Sequence, residues 1–276
     1  MTDLMAIVLS VLAALLGLFV IYVLSTMCRR GHPGLSALSG WAYGHRGLYR
    51  PGVPESSHPA FQRAKDHGYG VELDVHLLAD GNLAVMHDYQ LERTTGFQGR
   101  IEDYTAPQVT QLHLENTKYK VLLFSQVLEI FDGKAPIIVE LKSTKDNYAE
   151  LCRRTCELLD GYDGVYCLES FDPRCVLWLR RHRPELIRGQ LVENYFQRDK
   201  SRMPWIVRFL LVNQMLNFLT FPDFVAYRFH DRKTFSNFVV DKVWGAASVA
   251  WTLKTPEEYE TAVKEGRIPI FEGFYP

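Results

Sequence analysis

YGVELDVHLLADGNLAVMH, residues 69–87, contains a strand, a turn and a returning strand. Val71, Leu73 and Val75 fall on one face of the first strand, and Glu72 and Asp74 on the other, because side chains alternate with a period of two. Asp80-Gly81 between two alternating runs signals a two-residue hairpin turn. Centred there, the turn pairs 79 with 82, 77 with 84, 75 with 86 and 74 with 87. Opposed residues in an antiparallel pair share a face, with Cβ atoms about 5 Å apart. The expectation is that His87 stands beside Asp74, with Glu72 next on the same face.

Working outward, short apolar and β-branched runs alternate with helix-like segments. Candidate strands are 41–44, 69–77, 136–142, 164–170, 186–192, 223–227, 248–253 and 267–271. Candidate helices are 58–67, 125–132, 146–160, 173–182, 231–242 and 255–265. The first has Ser57 as N-cap, Pro59 in its first turn and Gly68 beyond its end. Eight strands with intervening helices predict an α/β fold, a closed parallel (β/α)8 barrel of the TIM type with a small β-hairpin insertion after strand 2. An open doubly wound sheet is the alternative. No GxGxxG or GxxxxGK[ST] follows the first strand, which argues against a nucleotide-binding fold.

The 25 residues from Leu4 to Cys28 carry no charge. That is more than the roughly 20 apolar residues a helix needs to cross the hydrocarbon layer. A secretory signal would have a basic start and a small-residue cleavage site, and neither is present here. The stretch predicts an uncleaved transmembrane helix. Arg29 and Arg30 follow it directly and no Lys or Arg precedes it, so the positive-inside bias places the body in the cytoplasm. The expected organisation is an anchor over 1–30, a Gly/Ser/Pro linker over 31–40 and one barrel domain over 41–276.

With 31 basic and 32 acidic residues, the chain lacks the basic excess of a nucleic-acid binder. Five cysteines without a CxxC make neither a disulfide framework nor a zinc site, and they read as buried free thiols. Nothing in the sequence calls for an obligate protein partner.

Carboxylates facing a barrel interior are costly without a partner, and a divalent cation, Mg2+ or Ca2+, suits their oxygens. Glu72 and Asp74 alone would also fit the exposed face of an edge strand. Glu140-Leu141-Lys142 repeats the geometry on the third barrel strand, offering a third carboxylate and a cation for an anionic ligand. Gly44-His45-Arg46-Gly47 closes the first strand, where barrels carry their catalytic groups. His45 and His87 are candidate general acid/base groups, and the Arg46 fork matches phosphate oxygens. His58, His67, His113, His182 and His230 read as surface or helix histidines.

Several segments, in order, now resemble one family. They are His45-Arg46-Gly47, Pro54-Glu55, Glu72-Leu73-Asp74-Val75, Asp80-Gly81, His87-Asp88, Arg93-Thr94-Thr95, Glu140-Leu141-Lys142, Ser170-Phe171-Asp172-Pro173 and Ala250-Trp251-Thr252. Over essentially 41–271 the chain is similar to the glycerophosphodiester phosphodiesterases. The resemblance implies a TIM-type barrel that hydrolyses glycerophosphodiesters to glycerol 3-phosphate and an alcohol. It implies that Glu72, Asp74 and Glu140 bind the divalent metal and that His45 and His87 are the acid/base pair. Arg46 and Lys142 would hold the phosphate, Trp251 would contact substrate, and Glu55 would support the site from behind. The chain departs from the family at Ser56, where Asn is usual, and at Phe271-Glu272-Gly273, where the last strand commonly ends in Thr-Asp.

Two other readings stand beside this one. The same chemistry on a substrate keeping one acyl chain would be a lysophospholipase D activity. A barrel that binds glycerophospho-compounds without turnover would be expected to have lost a histidine or carboxylate, and all are present. Finally, 204–219 is large and apolar with sparse polar residues, and Arg198, Lys200 and Arg202 precede it. It reads as an interfacial helix meeting membrane lipid, or as an ordinary barrel helix.

Overall fold

The computed structural model describes residues 2–197 and 203–276; Arg198, Lys200 and Arg202 lie outside the described residues. Ten strands follow in chain order: β1 Tyr43–His45, β2 Gly70–Leu77, β3 Leu83–Val85, β4 Leu122–Leu123, β5 Ile137–Leu141, β6 Tyr166–Ser170, β7 Arg188–Val192, β8 Phe224–Arg228, β9 Ala247–Leu253 and β10 Ile268–Phe271. Eight of them, all but β3 and β4, pair in parallel, and β1 pairs with both β2 and β10, so the sheet closes. The result is the expected TIM-type barrel, with each of its eight strands on a run expected to form one.

The barrel interior changes character along its axis. At the N-terminal ends of the strands, inward side chains such as Tyr43, Ile138, Phe224 and Val249 form an apolar plug. Toward the C-terminal ends stand Glu72 and Asp74 of β2, Glu140 of β5 and Glu169 of β6, all buried. Because inward positions alternate, Ile138 and Glu140 of β5 belong to successive layers of one interior. A second core lies between strands and helices and includes Phe61, Leu73, Val75, Phe131 and Val139.

Glycine leaves room for the aromatic rings of the plug. A Cβ at Gly189 would lie 2.1 Å from ring carbons of Phe224. Overpacking a filled core typically costs about 1–3 kcal/mol.

Helix ends follow the expected chemistry. Ser57 caps His58–Asp66 by accepting from the Ala60 amide, and Asp172 and Thr255 cap Pro173–His182 and Pro256–Lys264 in the same way. The helix expected after Ser125 starts one residue earlier, at Phe124. The expected helix over 231–242 is broken into a turn at Phe229–Asp231, a four-residue helix Phe235–Phe238 capped by Thr234, and a wide turn of helix Val239–Trp244.

The hairpin is real, but its register differs by one residue from the expectation. Val75 pairs with Val85, His76 with Ala84 and Leu77 with Leu83, so His87 is not directly opposite Asp74. The loop holds three residues, not two. The Gly81 amide donates to Leu78 O at 3.0 Å, the Leu78 amide to Asn82 O at 2.9 Å, and Gly81 sits at φ +82°. This is a turn followed by a left-handed residue, which glycine allows and which Asp-Gly fits as well as a two-residue turn. The Asp80 carboxylate accepts from the amides of Asn82 and Ala106, which holds this form. A slip of one would normally reverse every facing. His87 avoids this because β3 ends at Val85 and the chain leaves the ladder before reaching it.

The insertion is also larger than a hairpin. Between β3 and β4 the chain builds a small core of its own around Leu91, Ile101, Val109 and Leu114, and β4 then pairs with β3.

The N-terminal helix spans Thr2–Ser25, and residues 3–21 are exposed. Its stretch Asp3–Ser25 is long and apolar enough to cross a membrane. The chain then runs along the N-terminal end of the barrel. Arg29 pairs with Asp223 and reaches the carbonyls of Pro184 and Leu186, and Leu38 is buried beneath Tyr43. All five cysteines are free and buried.

We expect Gly189→Ala to lower stability by about 1–3 kcal/mol through its clash with Phe224. The check is thermal or urea unfolding of the full chain in detergent; an unchanged midpoint would show that Phe224 relaxes freely.

Candidate active site

The strands deliver their C-terminal residues to one cavity of about 990 Å³ at the catalytic end of the barrel. His45, Glu72, His87, Glu140, Lys142, Glu169, Trp251 and Glu272 all line it.

At its floor, Glu72, Asp74 and Glu140 each offer an oxygen, all within 4.8 Å of one another. Strand pairing fixes this, because Asp74 of β2 lies beside Glu140 of β5. Glu72 Oε2 and both Asp74 oxygens are buried without a hydrogen-bond partner. Burial raises Glu72 well above the carboxylate range, helped by Asp74, Glu140 and Glu169, and raises Glu140 to about 7. Asp74 is instead held low: burial opposes its charge, but Lys142, His87 and Arg46 overcome that. Glu169, beside Glu140 in the next strand, is raised by burial and by the charges of Glu140 and Asp74.

Two cations face this group. Lys142 Nζ is 3.0 Å from Glu140 Oε1 and 3.3 Å from Asp74 Oδ1. Arg46 Nε is 3.7 Å from Asp74 Oδ2, and its Nη1 donates to Glu55 at 3.1 Å. Glu55 in turn accepts from Arg93 at 2.5 Å, so it fixes Arg46 from behind. Arg46 adopts φ +56°, a costly region for a residue with a Cβ, and is held there by its amide donating to Glu72 O and its carbonyl accepting from Ser56. Glu72, Glu140 and Glu169 raise one another toward the protonated form, and Arg46 and Lys142 lie against Asp74. Buried carboxylate oxygens without a hydrogen-bond partner, on groups whose charged forms burial disfavours, fit a divalent cation, whose charge would favour ionisation.

The two histidines are built alike. His45 Nδ1 lies 2.5 Å from Glu272 Oε2, and its Nε2 turns inward, 3.8 Å from Glu72 Oε2. His87 Nδ1 lies 2.6 Å from Asp88 Oδ1. A carboxylate only accepts, so in each ring the proton is assigned to Nδ1 and the Nε2 lone pair is free. Burial lowers both, His87 to about 4, although Glu272 and Asp74 pull the other way. Burial thus favours the neutral imidazole in both.

The cavity thus brings together every residue singled out in the sequence except Asp74 and Glu55, which stand directly behind its lining. Trp251 forms part of the wall, its indole donating to Ala226 O and its ring edge-on to Phe171.

Glu272 was visible in the sequence only as a departure at the last strand. Its signal was closure: β10 pairs with β1, so the residue after β10 must lie beside the residue ending β1, His45. Tyr49 and Lys254 also bind Glu272 and help keep it ionised against burial. Glu169 is not singled out in the sequence either; its signal is its place directly before Ser170-Phe171-Asp172-Pro173, on β6 beside Glu140.

Glu72→Gln, Asp74→Asn and Glu140→Gln should each weaken Mg2+ or Ca2+ binding by more than about 100-fold, beyond the roughly 10–100-fold that losing a merely supporting contact costs. Titration calorimetry on the full chain measures this; unaltered binding in all three would remove the cluster as the metal site.

Comparison with known proteins agrees with this geometry. The family model described as the glycerophosphoryl diester phosphodiesterase family matches residues 45–272. A Bacillus altitudinis glycerophosphodiester phosphodiesterase is 31% identical over 129 residues, 44% of this chain and 52% of that protein, so the chain spans about half the length of this curated relative. An Oleispira antarctica phosphodiesterase, solved with its product sn-glycerol-3-phosphate, superposes with a TM-score of 0.69 at 19% identity, over 86% of this chain and 94% of the other. A Thermotoga maritima glycerophosphodiester phosphodiesterase does so at 0.64 and 24%, over 84% and 93%, and both likenesses concern the fold. The match running from His45 through Glu272, the first and last residues of the site, shows that the chain belongs to the glycerophosphoryl diester phosphodiesterase family.

Proposed function

We propose that this chain is a divalent-metal-dependent phosphodiesterase that hydrolyses glycerophosphodiesters to glycerol 3-phosphate and an alcohol. One observation carries the reading: two histidines, each tethered through Nδ1 to a carboxylate, line one cavity with a carboxylate trio and two buried cations. Family membership supports it.

Glu72, Asp74 and Glu140 would hold the cation. When bound, it would neutralise the charge that builds on the non-bridging phosphate oxygens. The chain's own groups do the rest. Arg46 and Lys142 grip the phosphate and stabilise that growing charge in a site shielded from water. One imidazole takes a proton from the nucleophile at Nε2, and the other, protonated, gives one to the leaving alkoxide. A bound phosphodiester anion favours the protonated form of the imidazole it touches. The nucleophile is water or the neighbouring glycerol hydroxyl; the second route passes through a cyclic phosphate, which product analysis separates.

We also infer that the N-terminal helix anchors the barrel to a membrane, with Arg29 and Arg30 placing the barrel on the cytoplasmic side. A second substrate reading, hydrolysis of lysophospholipids, is favoured by the apolar wall that Met203, Val207, Leu211 and Leu216 add to the cavity. One acyl chain would have a surface to lie on.

In a product assay of the full chain with glycerophosphocholine, glycerophosphoethanolamine and lysophospholipids, EDTA should abolish turnover; full activity in excess chelator would sink the metal dependence. His45→Ala and His87→Ala should each lower kcat by about 10²–10⁴-fold, and a change confined to KM would make that histidine a binding residue.

Glu272→Gln should lower kcat with little change in KM, because the amide no longer enforces the Nδ1 tautomer of His45. Glu272 favours the protonated imidazole, so its loss moves the limb of kcat/KM that His45 sets to lower pH, the acid limb where His45 is the base and the alkaline limb where it is the acid. An unchanged kcat and profile would reduce Glu272 to a structural contact.

A further inference from the structure

The N-terminal helix has a direction relative to the barrel. Its C-terminal end lies at the N-terminal ends of the strands, where the Trp244 indole donates to Val23 O and Thr26 Oγ1, both at 3.1 Å, and Arg29 pairs with Asp223, the residue before β8. One to two turns earlier, Tyr22 and Phe19 pack on Phe235, at ring-centroid distances of 5.8 and 6.3 Å. Phe235 opens the return from the C-terminal end of β8 and Trp244 closes it, so the step from Val23 back to Phe19 climbs toward the catalytic end. The remaining residues, 3–18, continue that way for about 24 Å at the helical rise of 1.5 Å per residue.

This fixes what the catalytic end faces. A span can be as short as about 17 residues, so one starting at Leu4 ends near Val20, a turn before the Val23 held by Trp244, and Phe19 and Tyr22 flank its inner end. Whatever packs at their level sits at the inner edge of the hydrocarbon. Phe235 does so, and it and Phe238 are 57% and 56% exposed. At the same level, Ser236 Oγ donates to Val212 O, the last residue of the helix Trp205–Val212. That helix has no buried residue. Its inner side, Val207 and Leu211, lines the cavity, and its outer side presents Trp205, Ile206 and Phe209 at 69%, 45% and 42% exposure.

We propose that the mouth of the barrel faces the bilayer spanned by the N-terminal helix, and that the helix Trp205–Val212 lies in the interface of that bilayer as one wall of the mouth. This rests on the anchoring reading above and adds an orientation to it. The apolar rim is thereby covered by lipid, and a substrate held in the membrane enters without crossing bulk water.

The test is the immersion depth of nitroxide labels on the full chain in phosphatidylglycerol/phosphatidylcholine liposomes, from their relative accessibility to oxygen and to a water-soluble nickel complex. The native cysteines are all buried, so labelling is directed to an introduced one. Trp205→Cys, Phe209→Cys and Phe238→Cys probe the rim, Leu12→Cys the span, and Glu157→Cys the outward face of a distant barrel helix. We expect labels at 205, 209 and 238 to share the oxygen preference of the label at 12, with the label at 157 in water. Labels at 205 and 209 reading as water while 12 reads as bilayer would overturn the orientation and leave the anchor standing. A label at 12 in water would overturn the anchoring reading, and the orientation with it.

Discussion

Four carboxylates buried within one barrel repel one another, and that repulsion organises the catalytic end of the molecule. Glu72, Asp74, Glu140 and Glu169 come from three adjacent strands, so backbone pairing sets their spacing before any side chain relaxes. Lys142 and Arg46 reduce the strain and Glu55 keeps Arg46 in place, yet neither cation meets all the charge. Burial and mutual repulsion raise Glu72, Glu140 and Glu169, and a cation held among them would favour their ionised forms at groups that folding has already removed from water. The apolar plug at the other end of the interior, Tyr43 and Phe224 packed over glycines, contributes the burial that offsets it.

Closure of the sheet does the second piece of chemistry. A parallel barrel makes its first and last strands neighbours, and here that joins His45 to Glu272 across nearly the whole chain. His87 gets the same arrangement locally, from Asp88 beside it. Two imidazoles with the same tautomer but differently built supports can take unequal shares of proton transfer, since Glu272 is further held by Lys254 and Tyr49 while Asp88 is held by Arg93.

How much of this is legible in the sequence depends on range. The strands are, because a buried parallel strand such as Pro136-Ile-Ile-Val must be a short apolar run with sharp ends. The carboxylate trio is, because the period of two puts Glu72 and Asp74 on one face and Glu140 repeats the pattern. The hairpin register is not, since Asp-Gly serves two-residue and three-residue loops alike, and the choice rests on Asp80 reaching the Ala106 amide. Glu272 is not, because nothing local distinguishes it; only the pairing of β10 with β1 makes it a partner of His45. The division of 231–242 into short pieces is also set by tertiary contacts, among them Phe235 against the N-terminal helix.

The N-terminal helix and the cavity meet in the same crossovers. The segments between β7 and β9 carry both the apolar wall of the cavity and the surface on which the N-terminal helix rests. Elsewhere around the mouth the rim is charged, with Arg93, Arg174, His230 and Lys254 exposed to solvent. A mouth with one apolar wall beside its anchor and charged groups elsewhere suits a substrate with two ends of opposite character. On the proposed function, the phosphate end would be drawn toward Arg46, Lys142 and a cation held by the carboxylates. An apolar end gains by staying against Val207 and Leu211 without leaving the lipid side. A small soluble diester needs only the first half of that arrangement, so the wall is the feature that separates the two substrate classes. Replacing it with polar side chains should raise KM for a lysolipid and leave glycerophosphocholine unaffected.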